Sequence, residues 1–153
     1  MNQASFLNPE IRMMYESDLH EVVRIEREIF LFPWTLGNFR DSLKTDYLCR
    51  VMEHNHIILG YSILMIGPDE AHILTLGINP QWQRRGLGEK MLHYLIDLAI
   101  EKGAKSVLLD VRESNQGAAR LYRQLGFEQI ATRKGYYPAM CGREDALVMR
   151  LVL

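Results

Sequence analysis

The sequence has little cysteine and no recognisable metal-binding pattern. Its two cysteines, Cys49 and Cys141, lie far apart and outside any CxxC pattern, which argues against a disulfide scaffold and against a thiolate metal site. The five histidines form no HExxH pattern, so we predict chemistry without a metal ion. Unpaired thiols are typical of a reducing compartment.

The sequence also lacks long apolar runs and an excess of one charge. No run approaches the roughly 18 apolar residues of a membrane-spanning helix, and the polar segment 1–10 lacks the apolar core of a signal peptide. The net charge is −1, so neither nucleic acid nor a membrane is expected as the main partner. These absences predict a cytoplasmic protein.

What is present suits a single globular domain over residues 1–153. Of the 153 residues, 48% are hydrophobic and 24% are charged, which is ordinary for such a domain. The predicted elements run in the order strand, two helices and three strands, after which helices and strands alternate. This order predicts the α/β class, in the form of a mixed (α+β) sheet with helices on both faces.

The individual elements follow from hydrophobic periodicity and from capping residues. The predicted strands are 11–15, 47–52, 57–66, 71–78, 106–111, 127–132 and 146–153. The predicted helices run from Asp18 to about Phe30, from Thr35 to about Leu43, from the segment 83–88 to Gly103, and from Ser114 to Leu125, with Gly126 as terminator. Asp18 and Glu21 have the spacing of a capping box. Tyr136-Tyr137-Pro138 is predicted to lie in a loop.

The most informative segment is Gln83-Arg84-Arg85-Gly86-Leu87-Gly88, between a strand and a helix. Glycine lets the backbone approach a ligand, and a helix N-terminus offers unpaired N–H groups, so the segment predicts a pyrophosphate site to which Arg84 and Arg85 add charge. A dinucleotide fingerprint would need glycine at Met91, and a Walker loop would need another sequence than Gly88-Glu89-Lys90. The alternative is an ordinary glycine-bearing turn.

A second group of polar residues follows the strand 106–111. Asn115 and Tyr122 are seven residues apart and share a helix face. Asp110 ends a strand, where α/β sheets place ligand-binding groups. A carboxylate and a phenol beside one cofactor would serve as base and acid. Each also has a purely structural interpretation: a solvated carboxylate, a first-turn residue and a packing residue.

Two blocks of the sequence resemble the motifs of the GNAT superfamily of N-acetyltransferases. They are Gln83-x-x-Gly86-x-Gly88 and Asn115…Leu121-Tyr122…Gly126-Phe127. The resemblance implies a GNAT-like acyl-CoA N-acyltransferase fold with a central, mostly antiparallel twisted sheet. It also implies acetyl-CoA as the acetyl donor, without a metal.

The resemblance further implies roles for individual residues. The residues that offer strand backbone to the pantetheine arm are Leu76, Gly77 and Ile78. The residues that bind the pyrophosphate are Arg84, Arg85, Gly86, Leu87, Gly88 and Glu89, and Asn115 binds the cofactor further along. Tyr122 is the residue that protonates the departing thiolate.

A narrower resemblance, over about residues 11–149, is to the superfamily's ribosomal-protein alanine acetyltransferases. It rests on Phe32-Pro33-Trp34, Leu109-Asp110-Val111-Arg112, Tyr136-Tyr137-Pro138 and Gly142-Arg143-Glu144-Asp145-Ala146. It implies that the acceptor is a protein N-terminus, the N-terminal alanine of small-subunit ribosomal protein eighteen.

The sequence departs from this pattern at Asp110, which stands where that group has a glutamate as proton acceptor. Aspartate is shorter by one carbon–carbon bond, about 1.5 Å. A misplacement near 1 Å can cost about 100-fold in rate, although a bridging water can restore contact. Glu70 and His72 on the preceding strand are the reserve bases.

The acceptor surface is predicted from aromatic residues outside the predicted helices and strands. Phe32, Trp34, Tyr136 and Tyr137 are predicted to wall a groove for an extended peptide, and the alternative is that they pack together and close the core. Glu16, Asp18 and Glu144 are candidates for attracting a basic peptide. Two other functions stay open: acetylation of a small amine such as a polyamine or aminoglycoside, and acyl-CoA sensing without turnover.

Overall fold

The structure is a computed structural model, and it describes residues 7–153. Residues 1–6, which belong to the polar N-terminal segment noted above, lie outside the described residues. The strands are β1 (Glu10–Met13), β2 (Leu48–His54), β3 (Ile57–Ile66), β4 (Glu70–Ile78), β5 (Ser106–Arg112), β6 (Glu128–Pro138) and β7 (Arg143–Val152). The α-helices are α1 (Leu19–Ile29), α2 (Leu36–Lys44), α3 (Leu87–Glu101) and α4 (Gln116–Gln124). Short 3-10 turns occupy Glu16–Asp18 and Pro80–Trp82.

The strands form a mixed sheet in the order β1-β2-β3-β4-β5-β7-β6. The β1–β2, β2–β3, β5–β7 and β7–β6 pairings are antiparallel. The β4–β5 pairing is parallel, and its register runs from Glu70 opposite Ser106 to Ile73 opposite Leu109. The predicted mixed, mostly antiparallel sheet is thereby confirmed.

The chain divides into two compact units, each with its own buried side chains. The first unit comprises the residues up to Met65 together with Thr75–Leu95, and the second comprises Ile66–Leu74 and Ile96–Leu153. Fully buried side chains of the first unit include Val22, Ile25, Phe39, Leu59, Tyr61, Met91 and Leu92. Those of the second unit include Ala99, Val107, Ala146 and Met149. Each large apolar side chain buried in this way contributes about 1.5–3 kcal/mol to stability.

The first helix starts where the sequence places it, but not by the predicted capping box. Asp18 makes no side-chain capping bond to α1. Its carboxylate instead accepts a hydrogen bond from the Tyr15 amide at 2.8 Å and lies 2.9 Å from the Arg12 guanidinium. The Asp18–Glu21 box is therefore wrong, because a charged partner on β1 takes the carboxylate.

The caps of the other helices are partly as predicted. Thr35 caps α2, since its hydroxyl accepts from the Asn38 amide at 3.1 Å. The α4 cap is Asn115 and not Ser114, since the Oδ1 atom of the Asn115 side chain accepts from the Ala118 amide at 3.3 Å. Gly103 and Gly126 follow their helices with positive φ, as predicted.

The segment Tyr136-Tyr137-Pro138 is part of β6, so its placement in a loop is wrong. Tyr137 pairs with Glu144 and Pro138 with Arg143 across the β6–β7 ladder. The register shifts between Arg133 and Tyr137. That irregularity interrupts the alternation that marks a strand.

Within residues 7–153, no helix has both the length and the apolar character needed to cross a membrane.

Candidate active site

The turn before α3 has the backbone of an anion-binding loop. Arg84 and Gly86 have φ angles of 63° and 79°, in the left-handed region. A Cβ placed on Gly86 would meet no atom within 4 Å, so the space beside this residue is open. The Lys90 amide donates to the Gly86 carbonyl at 3.1 Å, and the amides before it have no intrahelical acceptor. Open space beside unpaired amides at a helix N-terminus fits a diphosphate.

Side chains next to this turn fix its position. The Gln83 side-chain amide donates through Nε2 to the Ile78 carbonyl at 3.0 Å, which ties the turn to the end of β4. The Arg85 guanidinium lies 4.9 Å from the centre of the Trp82 ring, within cation–π range. Sequence reasoning placed Gln83 in the motif but assigned it no role of its own, and it gave none to Trp82.

The second half of β4 lies close to β3. A Cβ on Gly60 would be 2.8 Å from the Gly77 carbonyl oxygen, and a Cβ on Gly77 would be 2.3 Å from the Tyr61 hydroxyl. Gly77 and Ile78 are buried, whereas Leu76 is half-buried. Glycine at position 77 is therefore required by the packing of Tyr61.

A buried carboxylate that the sequence analysis missed contacts the same strand. Glu26 on α1 is 2% exposed. One carboxylate oxygen accepts from the Tyr61 hydroxyl at 2.6 Å and from the Thr75 hydroxyl at 3.3 Å. The other oxygen accepts from the Trp34 backbone amide at 3.0 Å. Burial and the negative charge of Glu26 raise the pKa of Tyr61 far above its usual value.

The predicted acceptor residues of the first unit are in different environments. The Trp34 ring lies 5.3 Å from the Phe39 ring, and Phe39 lies 5.8 Å from the Tyr61 ring. Trp34 is half-buried by this packing, whereas Phe32 is 41% exposed. Of these two predicted groove residues, Trp34 therefore packs against the core.

In the second unit, Asp110 lies near the end of β5 beside an arginine. One oxygen of its carboxylate, Oδ1, is 3.4 Å from the Arg133 Nε atom. This oxygen is enclosed but makes no hydrogen bond within residues 7–153. Asp110 therefore keeps hydrogen-bonding capacity for a ligand or a water molecule.

Two tyrosines of β6, Tyr136 and Tyr137, lie near Arg133, the arginine beside Asp110. The rings of Tyr136 and Tyr137 meet edge to face at 4.9 Å. The Arg112 guanidinium is 4.5 Å from the Tyr137 ring centre, and that of Arg133 is 5.3 Å from the Tyr136 ring centre. Burial, and next the negative charge of Asp110, raise the pKa of Tyr137 to about 12. Arg133, which contacts both Asp110 and the Tyr136 ring, thus connects Asp110 with the two tyrosines.

Tyr122 lies on α4 with its ring 5.8 Å from that of Phe127. Burial raises the pKa of Tyr122 to about 12, so its phenol stays protonated at neutral pH. The interaction of Tyr122 with Tyr137 also raises the pKa of Tyr137, after burial and the charges of Asp110 and Tyr136. Asn115 caps the same helix seven residues earlier.

The reserve bases Glu70 and His72 contact each other. The His72 Nε2 atom lies 3.3 Å from a Glu70 carboxylate oxygen. His72 is opposite Leu108 in the β4–β5 register, and Asp110 follows two residues later. Side chains two apart on a strand share a face, so His72 and Asp110 face the same side of the sheet.

The acidic residues proposed to attract a basic peptide already have arginine partners. The pairs are Glu16 with Arg40 at 2.7 Å, Asp18 with Arg12 at 2.9 Å, and Glu144 with Arg112 at 3.0 Å. Hydrogen bonds from Ser114, followed by Arg112, lower the pKa of Glu144. Because these charges are compensated locally, we do not assign acceptor attraction to them.

The cysteines and possible metal ligands are also placed. Cys49 is buried, and burial raises the pKa of its thiol to about 11, so it is not a thiolate at neutral pH. Cys141 is exposed. Within the described chain, no group of three or more His, Cys, Asp or Glu residues is arranged to hold a metal ion.

Comparison with known proteins gives consistent matches. The profile of the Acetyltransferase (GNAT) family matches residues 16–127. The chain is 35% identical over 141 residues to the ribosomal protein bS18-alanine N-acetyltransferase of Escherichia coli K12, covering 92% of this chain and 95% of that protein. It is 36% identical to the protein of that name from Haemophilus influenzae, with 89% and 93% coverage. The crystal structure of the Escherichia coli ribosomal-protein-S18-alanine N-acetyltransferase superposes with a TM-score of 0.89 at 34% identity, covering 95% of this chain and 94% of that one.

Proposed function

Because the chain belongs to the acetyltransferase (GNAT) family, we propose that it acetylates a protein N-terminus with acetyl-CoA as the donor. The observation that carries this proposal is the left-handed turn at Arg84 and Gly86, beside the first amides of α3, for which the helix itself provides no acceptor. Backbone amides at a helix N-terminus are a general binding site for phosphate groups. The residues present therefore fit the diphosphate of acetyl-CoA.

The donor's extended arm has a matching strand. The β4–β5 register ends at Ile73, and β4 continues to Ile78. An extended amide chain pairs with strand backbone as an added strand does. In the proposal, Leu76, Gly77 and Ile78 provide this backbone, and Asn115 binds the donor further along.

The acceptor assignment is the α-amine of an N-terminal alanine, as in ribosomal protein bS18. Its support is that relatives about 35% identical over most of the chain are named for that substrate. The aromatic residues Phe32, Trp34, Tyr136 and Tyr137 are proposed to contact the acceptor peptide. Phe32 and Tyr136 are 41% and 47% exposed, which suits side chains that cover a bound peptide.

The chemistry requires one proton acceptor and one proton donor. An α-amine has a pKa of roughly 7.7–8.0, so much of it is protonated at neutral pH and must lose a proton before it attacks the thioester. Asp110 accepts this proton, directly or through one water molecule. A strand N–H near Leu76 stabilises the oxygen that becomes negative. No covalent acyl-enzyme is required.

Tyr122 supplies the proton to the departing CoA sulfur. With a pKa of about 12, its phenol is protonated throughout the physiological range. A free thiol has a pKa of about 8.5, so proton transfer from Tyr122 to the thiolate is uphill unless the site also raises the pKa of the sulfur. Exclusion of water disfavours the charged thiolate and raises the pKa of the sulfur as well, which reduces the difference between the pKa values of the thiol and the Tyr122 phenol.

One experiment separates this function from small-amine acetylation and from acyl-CoA sensing. The protein is incubated with acetyl-CoA and one of three amines: a peptide that begins with alanine, the same peptide with a blocked N-terminus and an internal lysine, or spermidine. Release of CoA with the first peptide alone supports the proposal. Release with spermidine alone supports a small-amine enzyme, and CoA binding without release supports a sensor.

A further inference from the structure

Glu26 is a buried carboxylate for which the proposed chemistry has no use. It lies on the apolar face of α1 and is 2% exposed. Its partners in the described part of the chain are hydroxyl and backbone amide groups, and none is a basic side chain. A carboxylate that is buried without a counter-ion is costly unless hydrogen bonds compensate it.

Each contact of Glu26 brings a hydrogen-bond donor to a carboxylate oxygen. The donors are the Tyr61 hydroxyl at 2.6 Å, the Thr75 hydroxyl at 3.3 Å and the Trp34 backbone amide at 3.0 Å. Both oxygens act as acceptors, and the Trp34 partner is a backbone N–H, which can only donate. The side chain at this position must therefore present an acceptor oxygen to Trp34.

The donors come from two segments with different proposed roles. Thr75 lies on β4 two residues before Gly77, and the Tyr61 hydroxyl lies where a Cβ of Gly77 would be. This side of the network supports the strand proposed to hold the donor. Trp34 lies in the connection between α1 and α2, beside Leu31 and Phe32, which are 65% and 41% exposed. This side supports the proposed acceptor segment.

A series of aromatic ring contacts also connects Trp34 with Tyr61. Trp34 packs on Phe39 at 5.3 Å, and Phe39 packs on Tyr61 at 5.8 Å. The Trp34 amide and the Tyr61 hydroxyl then both bind Glu26. The α1–α2 connection is thus joined to β3 and β4 by ring packing on one side and by a charge-assisted network on the other.

We propose that Glu26 is a positioning residue that sets the acceptor-binding segment, Phe30–Thr35, in register with the donor strand β4. The inference rests on the proposed function, since it assigns these segments to the acceptor and the donor. Glu26 touches neither reacting group and acts through the Trp34 amide and the Tyr61 hydroxyl. It determines how well the acceptor peptide binds, and it leaves the diphosphate turn unaffected.

The test is Glu26→Leu with separate kinetics for each substrate. Leucine is similar in size to glutamate but has no acceptor oxygen, so the Trp34 amide and the Tyr61 hydroxyl both lose their acceptor. We expect the KM for the alanine peptide to rise at least tenfold and the KM for acetyl-CoA to change by less than twofold. Amide exchange at Trp34 is expected to accelerate at least tenfold.

Two further variants complete the test. Tyr61→Phe removes the strand-side donor and keeps the Glu26–Trp34 bond, so the acceptor KM is expected to rise, but by less than in Glu26→Leu. Ser62→Ala removes a buried hydroxyl that bonds only the Met91 sulfur at 3.6 Å, and both KM values are expected to stay unchanged. Melting temperatures of all variants are compared with that of the wild type.

The possible outcomes separate this inference from the proposed function. If the wild type turns over the alanine peptide but folded Glu26→Leu has an unchanged acceptor KM, or if both KM values rise together, the inference is overturned. If the wild type does not acetylate the peptide, the proposed function is wrong. If Glu26→Leu fails to fold, amide exchange at Trp34 in the wild type decides. Protection of this amide that increases with bound peptide supports the inference, and unprotected exchange overturns it.

Discussion

The hydroxyl of Tyr61 occupies the space that a side chain at position 77 would need. A Cβ on Gly77 would lie 2.3 Å from this oxygen. Tyr61 is fully buried and its hydroxyl is bonded to Glu26 at 2.6 Å, so it has no room to retreat. The strand proposed to hold the pantetheine arm is therefore fixed in place by a tyrosine on its neighbour.

Gly77→Ala is accordingly expected to destabilise the protein. Overpacking of a filled core costs about 1–3 kcal/mol, and the displaced strand should also bind acetyl-CoA less well. Chemical denaturation and the KM for acetyl-CoA measure these effects. Gly117→Ala is the matched control, because a Cβ there meets no atom within 4 Å and the residue lies in α4. Equal stability of the two variants would contradict the packing argument.

Gly86→Ala tests the turn before α3. The substitution has open space but forces alanine to a φ of 79°, which costs about 1–2 kcal/mol. We expect the affinity for CoA to fall at least fivefold, measured by calorimetry, because relaxation of the turn redirects its amides. Gly103→Ala has the same type of strain after the C-terminus of α3, with φ 83° and open space. A similar loss of CoA affinity in both variants would show that the effect is not specific to the turn.

Asp110→Glu tests whether the shorter acid serves as the base. Glutamate restores the missing methylene, and Asp110 Oδ1 has no hydrogen bond in the described chain that the change would break. We expect kcat/KM for the alanine peptide to be retained or increased, and to fall at least tenfold in Asp110→Asn, which cannot accept the proton. Complete loss in Asp110→Glu would mean that the site is built around aspartate, and an unaffected Asp110→Asn would remove this residue from the mechanism.

Two tyrosines are expected to make the protein less stable at alkaline pH. The pKa of Tyr122 and that of Tyr137 are both raised to about 12, from an unfolded value of about 10. Above pH 10 the unfolded chain has lost protons that the folded chain still holds, so stability falls as the pH rises from 10 towards 12. Urea unfolding at pH 9, 10 and 11 should show this decline, with a shallower slope in Tyr122→Phe. A stability that is constant over this range in the wild type would contradict the assignment.

Tyr122→Phe also tests the proton donor. The phenol makes its proposed contribution only when the sulfur departs, so its removal should lower kcat at least tenfold. The ring and its packing on Phe127 remain, so CoA affinity should change by less than twofold. Steady-state kinetics and calorimetry measure the two quantities. An unchanged kcat would exclude Tyr122 as the acid.

Local signals in the sequence predicted much of the fold. The Thr35 cap and the Gly103 terminator depend on neighbouring residues alone, and both are where they were predicted. Asp18 was misread because Arg12 takes its carboxylate, a contact that requires the folded β1. The end of β6 was missed because its pairing with Arg143 and Glu144 is what makes it a strand.

The site shows the same division between local and long-range information. The turn at Arg84–Glu89 could be predicted because its motif is continuous in the sequence. The Arg133–Asp110 contact joins residues on different strands and left no local signal. Glu26 does have a weak local signal in the sequence. It lies seven residues after Leu19 and four after Val22, on the apolar face of α1. A charged residue on such a face indicates a buried network, although its partners cannot be read from α1 alone.

Calorimetric titration of the purified protein with CoA and with pantetheine tests the central claim most directly, because pantetheine keeps the thiol arm and lacks the diphosphate. If the backbone amides at the N-terminus of α3 bind the diphosphate, CoA binds at least tenfold more tightly than pantetheine, and Gly86→Ala reduces this difference in affinity. Equal affinities for the two ligands, or no measurable heat with CoA, would contradict the account.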